Sequence, residues 1–268
     1  MAMKIAVIGA GNVATHLALA LAREAEVVQI MSRTEESSAL LAEKINSFYH
    51  NDICAPITSP SLLRPDCDLY LISVSDSSIV SVVESTPDFP GIWAHTSGSV
   101  PQTVFAGRKS RYGVFYPLQT FTRDIPVDLR QVPMMISGCD KATADTLCAL
   151  ASTLSERVKI VDDSIRQSIH VAAVFACNFA NMMWVDADEL LREQGLDVTY
   201  FLPLIQAQLD KLRTMSPRDA MTGPARRNDG NVIDFHLSKL SGAKRADYER
   251  LTARILELYG LDPKKPVN

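Results

Sequence analysis

Lys4-Ile-Ala-Val-Ile-Gly-Ala-Gly-Asn-Val-Ala14 is the stretch on which the fold turns. A short apolar run rich in β-branched residues breaks at Gly9 and opens into an alanine- and leucine-rich pattern from Asn12 to Arg23, which predicts strand, tight turn and helix. Gly9-Ala10-Gly11-Asn12-Val13-Ala14 fits G-x-G-x-x-[G/A], and each small residue has a physical task. Gly9 permits the turn, Gly11 lets a pyrophosphate approach the backbone, and Ala14 lets helix and strand pack closely. The phosphates would rest on free N–H groups at the helix N-terminus. By itself the motif is common; the strand before it and the helix after it supply the context a dinucleotide site needs.

The next strand, Glu26 to Met31, ends in Ser32-Arg33-Thr34. A site for NAD usually carries an acid here to hold the ribose hydroxyls. Arg33 can instead grip a 2′-phosphate, with the hydroxyls of Ser32 and Thr34 donating to its oxygens, so the cofactor expected is NADP(H). A solvated loop with Glu35 opening a helix is the competing reading. Further on, Leu71-Ile-Ser73-Val74-Ser75-Asp76 ends a third apolar strand with small polar residues. Ser73, Val74 and Ser75 would line the ribose and nicotinamide path, although Ser75 and Asp76 also suit a helix N-cap.

The first half of the chain continues this alternation. A helix is expected from Glu35 to Asn46, and strands at 55–58, 69–74, 92–95, 112–115, 134–137 and 158–161. Continuous apolar strands between helices imply a mostly parallel, doubly wound α/β sheet. After Asp162 the strand signals stop. One long helix is expected from Ser164 to Gln194 with Gly195 as its stop, then helices from Asp197 to about Thr214, Gly230 to Ser241 and Ala243 to Tyr259, and a frayed tail from Asp262. The expected organisation is a dinucleotide-binding domain over 1–162 and an all-α domain over 163–268.

The formal net charge of -4 provides no basic field for nucleic acid. Cys54, Cys67, Cys139, Cys148 and Cys177 are odd in number and widely spaced, which fits neither a disulfide framework nor a metal site and suits a reducing compartment. The N-terminus does not read as a signal peptide. The most apolar later run, Val171 to Val185, is interrupted by Asn178 and Asn181 and reads as too short to span a bilayer. These features predict a cytoplasmic protein with no nucleic-acid, metal or membrane partner.

Candidate chemistry lies at the ends of the later strands. Trp93-Ala-His95-Thr-Ser97-Gly98-Ser99 brings an imidazole and two hydroxyls towards the nicotinamide end, with His95 as proton donor or substrate anchor. Ser97 and Ser99 would bind a carbonyl or carboxylate. Gly113-Val-Phe-Tyr116-Pro117-Leu-Gln119-Thr120 adds Tyr116 and Gln119 as substrate contacts. In the long helix, Arg166, His170, Asn178 and Asn181 fall close to one face, with His170 and Asn178 as candidates for completing the site. Thr222-Gly-Pro-Ala-Arg226-Arg227-Asn-Asp229 offers Arg227 to an anionic substrate group. For each, a plain structural use (a cap, a satisfied interhelical hydrogen bond, a solvated turn) fits the same residues.

Taken together, Val7–Ala14, His95–Ser99, Tyr116-Pro-Leu-Gln-Thr-Phe121, His170–Asn178 and Thr222-Gly-Pro224 with Arg227 and Asp229 resemble a known group. This group comprises Rossmann-like proteins labelled deazaflavin-coenzyme-dependent NADP oxidoreductase-like, with a C-terminal helical domain of unknown function. It is related to pyrroline-5-carboxylate reductase and the 6-phosphogluconate dehydrogenase-like superfamily. The resemblance implies a helical domain that forms a homodimer and a cleft where NADP(H) meets a small substrate. The chain departs from the group at Tyr116, where many relatives carry histidine, and no lysine stands near the expected nicotinamide end. Two functions are carried forward: an NADP(H)-dependent oxidoreductase acting on a small anionic carbonyl or imine, and a non-catalytic NADP-binding sensor or scaffold of the same fold.

Overall fold

The computed structural model describes residues 2–262; the expected frayed tail lies outside them from 263 onward. Strands β1 (Lys4–Ile8), β2 (Glu26–Met31), β3 (Ala55–Ile57), β4 (Leu69–Ile72), β5 (Ile92–His95), β6 (Tyr112–Pro117), β7 (Met134–Gly138) and β8 (Val158–Ile160) form one sheet. Its order is β3-β2-β1-β4-β5-β6-β7-β8. The chain runs outward from β1 to β3, then restarts at β4 on the other side of β1. This reversal creates the topological switch point at which such sheets bind ligands.

Helices α1 (Asn12–Leu21), α2 (Glu35–Tyr49) and α4 (Lys141–Leu154) cover one face, burying Leu17, Leu21, Leu41, Ile45 and Leu147 against Val7, Leu71 and Phe115. Helix α3 (Asp76–Ser85) covers the other, with Ile79 and Val83 against Ile8, Tyr70 and Trp93. Strands buried on both faces are apolar along their whole length, which is why they read as uninterrupted runs.

One pairing departs from the parallel pattern: β7 runs antiparallel to β6, while β8 is parallel to β7. No α-helix lies between Pro117 and Met134, so the chain never crosses back to the opposite edge. A strand that restarts at the edge where its predecessor ended must run the other way. Segment 118–133 therefore stays at the carboxyl edge of the parallel strands.

The chain divides into two compact units, one ending at Ala176 and one beginning at Cys177. The strands end before Asp162 as expected, but helix α5 (Asp163–Ala173) belongs to the first unit. Its Ile169 packs with Val114, Tyr116, Met135 and Val161 on the face opposite Phe115. The expected single helix 164–194 is interrupted by a π-helical turn, Val174–Phe179, before α6 (Ala180–Arg192). The wider turn breaks the 3.6-residue phase, so the stripe expected for Arg166, His170, Asn178 and Asn181 does not persist.

The helical run Asp163–Arg192 is 30 residues long, with mean hydropathy 1.4 over its most apolar window. By length and composition alone this longer run is sufficient to cross a membrane, a test that the core helix of a soluble protein also passes. Among the described residues of the second unit, α7 (Leu202–Lys211), α8 (Pro217–Ala220), α9 (Pro224–Arg227), α10 (Gly230–Lys239) and α11 (Gly242–Leu258) follow α6, and α9 packs on both α10 and α11.

Candidate active site

Because β1, β2, β4, β5 and β6 are parallel, the segments leaving them share one edge. Ile8 is in register with Met31 and Ile72, Ile72 with His95, and His95 with Val114. The glycine loop, Ser32–Thr34, Ser73–Ser75, Thr96–Ser99 and Leu118–Gln119 thus emerge side by side.

At the glycine loop, a Cβ on Gly9 would stand 2.1 Å from the Ser73 carbonyl oxygen, and its φ of +125° already excludes most side chains. Gly9 therefore lets the exits of β1 and β4 touch. Gly11 is the N-cap of α1, and a Cβ there would meet nothing within 4 Å. Its lack of a side chain leaves the first-turn amides without a side-chain acceptor and the space above them open, which is a cradle suited to an anion. Ala14 is fully buried in the core, and Ala10, Asn12 and Val13 complete the loop. The donor set and the open cradle fit the pyrophosphate of a dinucleotide.

One strand outward, Arg33 is exposed and forms no ion pair among the described residues. Ser32 is held by its amide on the Ile57 carbonyl at 3.1 Å. Thr34 caps α2 through backbone position only; its hydroxyl donates to Ser37 Oγ at 2.8 Å. On the inner side, Ser73 is buried and its Oγ accepts from Thr96 at 3.2 Å, Val74 is half-buried, and exposed Ser75 caps α3 with its Oγ 2.8 Å from that of Ser78.

His95 differs from expectation. Its ring is fully buried and stacked 5.6 Å from Phe105, with Nδ1 accepting the Ser97 amide at 3.2 Å. Burial, with a further contribution from the Arg166 charge, pushes its pKa down to about 4. The imidazole thus lies beneath the turn in its neutral form and supports the Ser97 amide from below. Ser97 is buried too; its Oγ accepts the amides of Ser99 and Val100 at 3.1 and 3.0 Å and shapes the turn from within. Ser99 is exposed, and its hydroxyl donates to the carboxylate of Asp76.

Above this turn, the Tyr116 hydroxyl lies 3.0 Å from His170 Nδ1, ring edge to ring face. Gly98 makes the pairing possible: a Cβ there would sit 2.5 Å from His170 Nδ1 and 2.8 Å from Tyr116 Cζ. Burial raises the Tyr116 phenol above its ordinary value, partly offset by Arg166, so the hydroxyl keeps its proton at neutral pH. Helix α5 is pinned over the turn by Gln167, whose Nε2 donates to the Ser99 carbonyl at 2.8 Å, and by Arg166, which is fully buried, pairs with Asp163 and donates to the Val100 carbonyl.

The first unit therefore brings together the glycine loop, Ser32–Thr34, Ser73–Ser75, Ser99, Tyr116 and His170. Gln119 is exposed at the same edge, its Oε1 accepting the Thr120 amide at 2.8 Å. Asn178 and Arg227 belong to the second unit; Asn178 is exposed in the π-helical turn, and Arg227, at the end of α9, forms no ion pair among the described residues. Gly98 and Gln167 were not singled out in the sequence, and Asp76 was noted only as a helix N-cap. Asp76 and Gly98 lie inside motifs already noted, whereas nothing around Gln167 marks it.

Residues 4–92 match the family of NADP oxidoreductases described as coenzyme F420-dependent, and residues 132–255 match a domain of unknown function. No curated protein matches the chain. Among solved structures, a "putative NADP oxidoreductase" from Bacteroides fragilis is 40% identical over 96% of this chain and 98% of its own, with a TM-score of 0.87. A reductive aminase from Aspergillus terreus in complex with NADPH and ethyl-5-oxohexanoate is 15% identical over 98% and 89% of the two chains, TM-score 0.62. An imine reductase variant from Myxococcus stipitatus in complex with NAD+ is 13% identical over 97% and 94%, TM-score 0.61. The last two share the fold.

Proposed function

The chain belongs to the NADP oxidoreductase family that includes the Bacteroides fragilis protein, and on that premise we propose that it uses NADP(H) to reduce a small imine or carbonyl. The observation that carries this reading is the arrangement at one sheet edge: an anion cradle at Gly11, Arg33 beside it with no ion pair among the described residues, and the Tyr116–His170 pair on the far side.

Residues Gly9 to Ala14 would hold the pyrophosphate on the N-terminus of α1. Arg33, with Ser32 and Thr34, would take the 2′-phosphate, and Ser73, Val74 and Ser75 the path towards the nicotinamide. A bound reduced cofactor supplies a hydride to the substrate carbon. Tyr116 would give its proton to the substrate nitrogen or oxygen, and His170, 3.0 Å behind, would donate its Nδ1 proton to the phenolate as its Nε2 takes one up from solvent. The Asp76 carboxylate, held by Ser99, makes that side of the site favourable for a group gaining positive charge, as a protonated imine does. Gln119 and Asn178 remain candidate substrate contacts, and Arg227 the candidate partner of an anionic substituent.

The exposed apolar residues of α6 and α7, among them Met182, Trp184, Val185, Leu204 and Leu209, need a cover. Helix α5 is tied to the α/β unit by Arg166 and Gln167, so the first third of the 30-residue run is anchored in protein, and the remainder carries Asp186, Asp188, Glu189 and Arg192. A second copy of the chain is the better cover, giving a homodimer. The five cysteines are all free, which accords with a reducing, cytoplasmic setting.

Titration of NADPH and NADH into the wild type and Arg33→Ala, followed by NADPH oxidation with a panel of keto acids and cyclic imines, tests the proposal. Arg33→Ala should lose roughly ten- to a hundredfold in NADPH affinity, as expected for a charge-assisted pair, and little for NADH. Equal wild-type affinities for the two would refute the cofactor choice. Tight NADPH binding without turnover on any substrate would favour a sensor.

A further inference from the structure

We propose that segment Leu118–Asp124 is an arm that closes over the dinucleotide, and that Arg123 on it binds the pyrophosphate. This rests on the dinucleotide reading above and adds a residue that no motif marks.

The arm starts at the end of β6, three strand positions from β1, or about 14 Å at the usual spacing. β4 and β5 lie between them, yet the arm returns across their carboxyl ends to reach α1. Three hydrogen bonds hold it there. Asn12 Nδ2 donates to the Phe121 carbonyl at 3.0 Å, His16 Nε2 to the Thr122 carbonyl at 2.9 Å, and the Arg123 guanidinium to the Ala10 carbonyl at 2.9 Å. A carbonyl only accepts, so His16 carries its hydrogen on Nε2 in this contact. The Phe121 ring lies 5.0 Å from that of His16. All four contacts fall on the glycine loop or the first turns of α1.

Arg123 is the informative member. It is exposed, forms no ion pair among the described residues, and is anchored on the carbonyl between the two glycines of the fingerprint. A guanidinium has five N–H donors in a fixed fork, and a single bond to Ala10 leaves others available beside the open space above Gly11. A cation tethered to the rim of an anion cradle matches a diphosphate, which NADPH and NADH share. Arg33, one strand outward and just past the end of β2, would take the 2′-phosphate, which only NADPH has.

The two arginines therefore separate by cofactor, and calorimetric titration of NADPH and NADH into wild type, Arg123→Gln, Arg123→Lys and Arg33→Ala reads the difference. Arg123→Gln should weaken both cofactors by the same factor, roughly ten- to a hundredfold, with Arg123→Lys intermediate and unliganded thermal stability unchanged. Unaltered affinity in Arg123→Gln overturns the arm while leaving the dinucleotide reading intact. A loss confined to NADPH overturns the pyrophosphate assignment. A wild type that binds neither cofactor overturns the dinucleotide reading, and the arm with it.

Discussion

Replacing Gly98 with alanine tests the proton pair without removing any titratable atom. The new Cβ would lie 2.5 Å from His170 Nδ1, 2.7 Å from His170 Cγ and 2.8 Å from Tyr116 Cζ. Ordinary contact begins near 3.4 Å, so the two rings must retreat by about 0.9 and 0.6 Å. Tyr116 has little room, being buried in β6, whereas His170 is half-buried on a helix and takes most of the movement. A 3.0 Å hydrogen bond stretched by that much passes beyond hydrogen-bond distance. Overpacking of this kind costs about 1–3 kcal/mol, which lowers the melting temperature by several degrees without unfolding the protein. The kinetic cost is larger, since misplacing a reacting group by about 1 Å can cost on the order of a hundredfold in turnover. The assay is kcat on the best substrate of the panel, alongside NADPH affinity, which separates loss of the proton pair from disturbance of the neighbouring cofactor loop, since Thr96 on the same turn bonds Ser73. A Gly98→Ala variant that turns over within twofold of wild type would show that the pair is not the proton source.

Two other consequences are accessible to simple measurements. Folded His95 resists protonation until about pH 4, whereas an exposed imidazole takes up its proton near 6.5, so stability is fully present above about pH 6.5 and should fall by about 3 kcal/mol as the pH drops to 4; urea midpoints measured across that range should flatten in His95→Leu, and an unchanged slope would contradict the assignment. The wild type should sediment as a dimer, and charges at Met182 and Val185, both exposed on α6, should yield monomers; a monomeric wild type would remove the proposed interface.

Much of the α/β unit was legible because parallel strands buried on both faces leave a simple signature. The runs 4–8, 26–31 and 92–95 coincide with β1, β2 and β5, and the glycine loop needed only its spacing to be recognised. The direction of β7 was less visible, since nothing within Met134–Gly138 encodes it; the missing helix before it does. The burial of His95 follows from pleat parity, which its place at a strand end does not announce. His95 shares a face with Trp93, two residues back, and that face packs into the core with Phe105. Along β6 the same alternation turns Tyr116 towards α5 and Phe115 away from it. Arg123 could not be found from the sequence, because its contact depends on the chain folding back 113 residues onto Ala10.

The departure at Tyr116 now has a chemical meaning. An imidazole at the end of β6 would be largely deprotonated above neutral pH and so a poor donor. A phenol raised by burial keeps its proton through that range, with His170 of α5 behind the hydroxyl. The exchange suits a reduction that consumes a proton where the medium has few to offer. Imines are a substrate class of that kind, because they form from amines in the unprotonated state, which is favoured towards alkaline pH. A carbonyl substrate imposes no such condition, since its concentration does not depend on a free amine. The buried phenol, with the Asp76 carboxylate nearby to meet a positive nitrogen, therefore weighs the proposed reduction towards C=N rather than C=O.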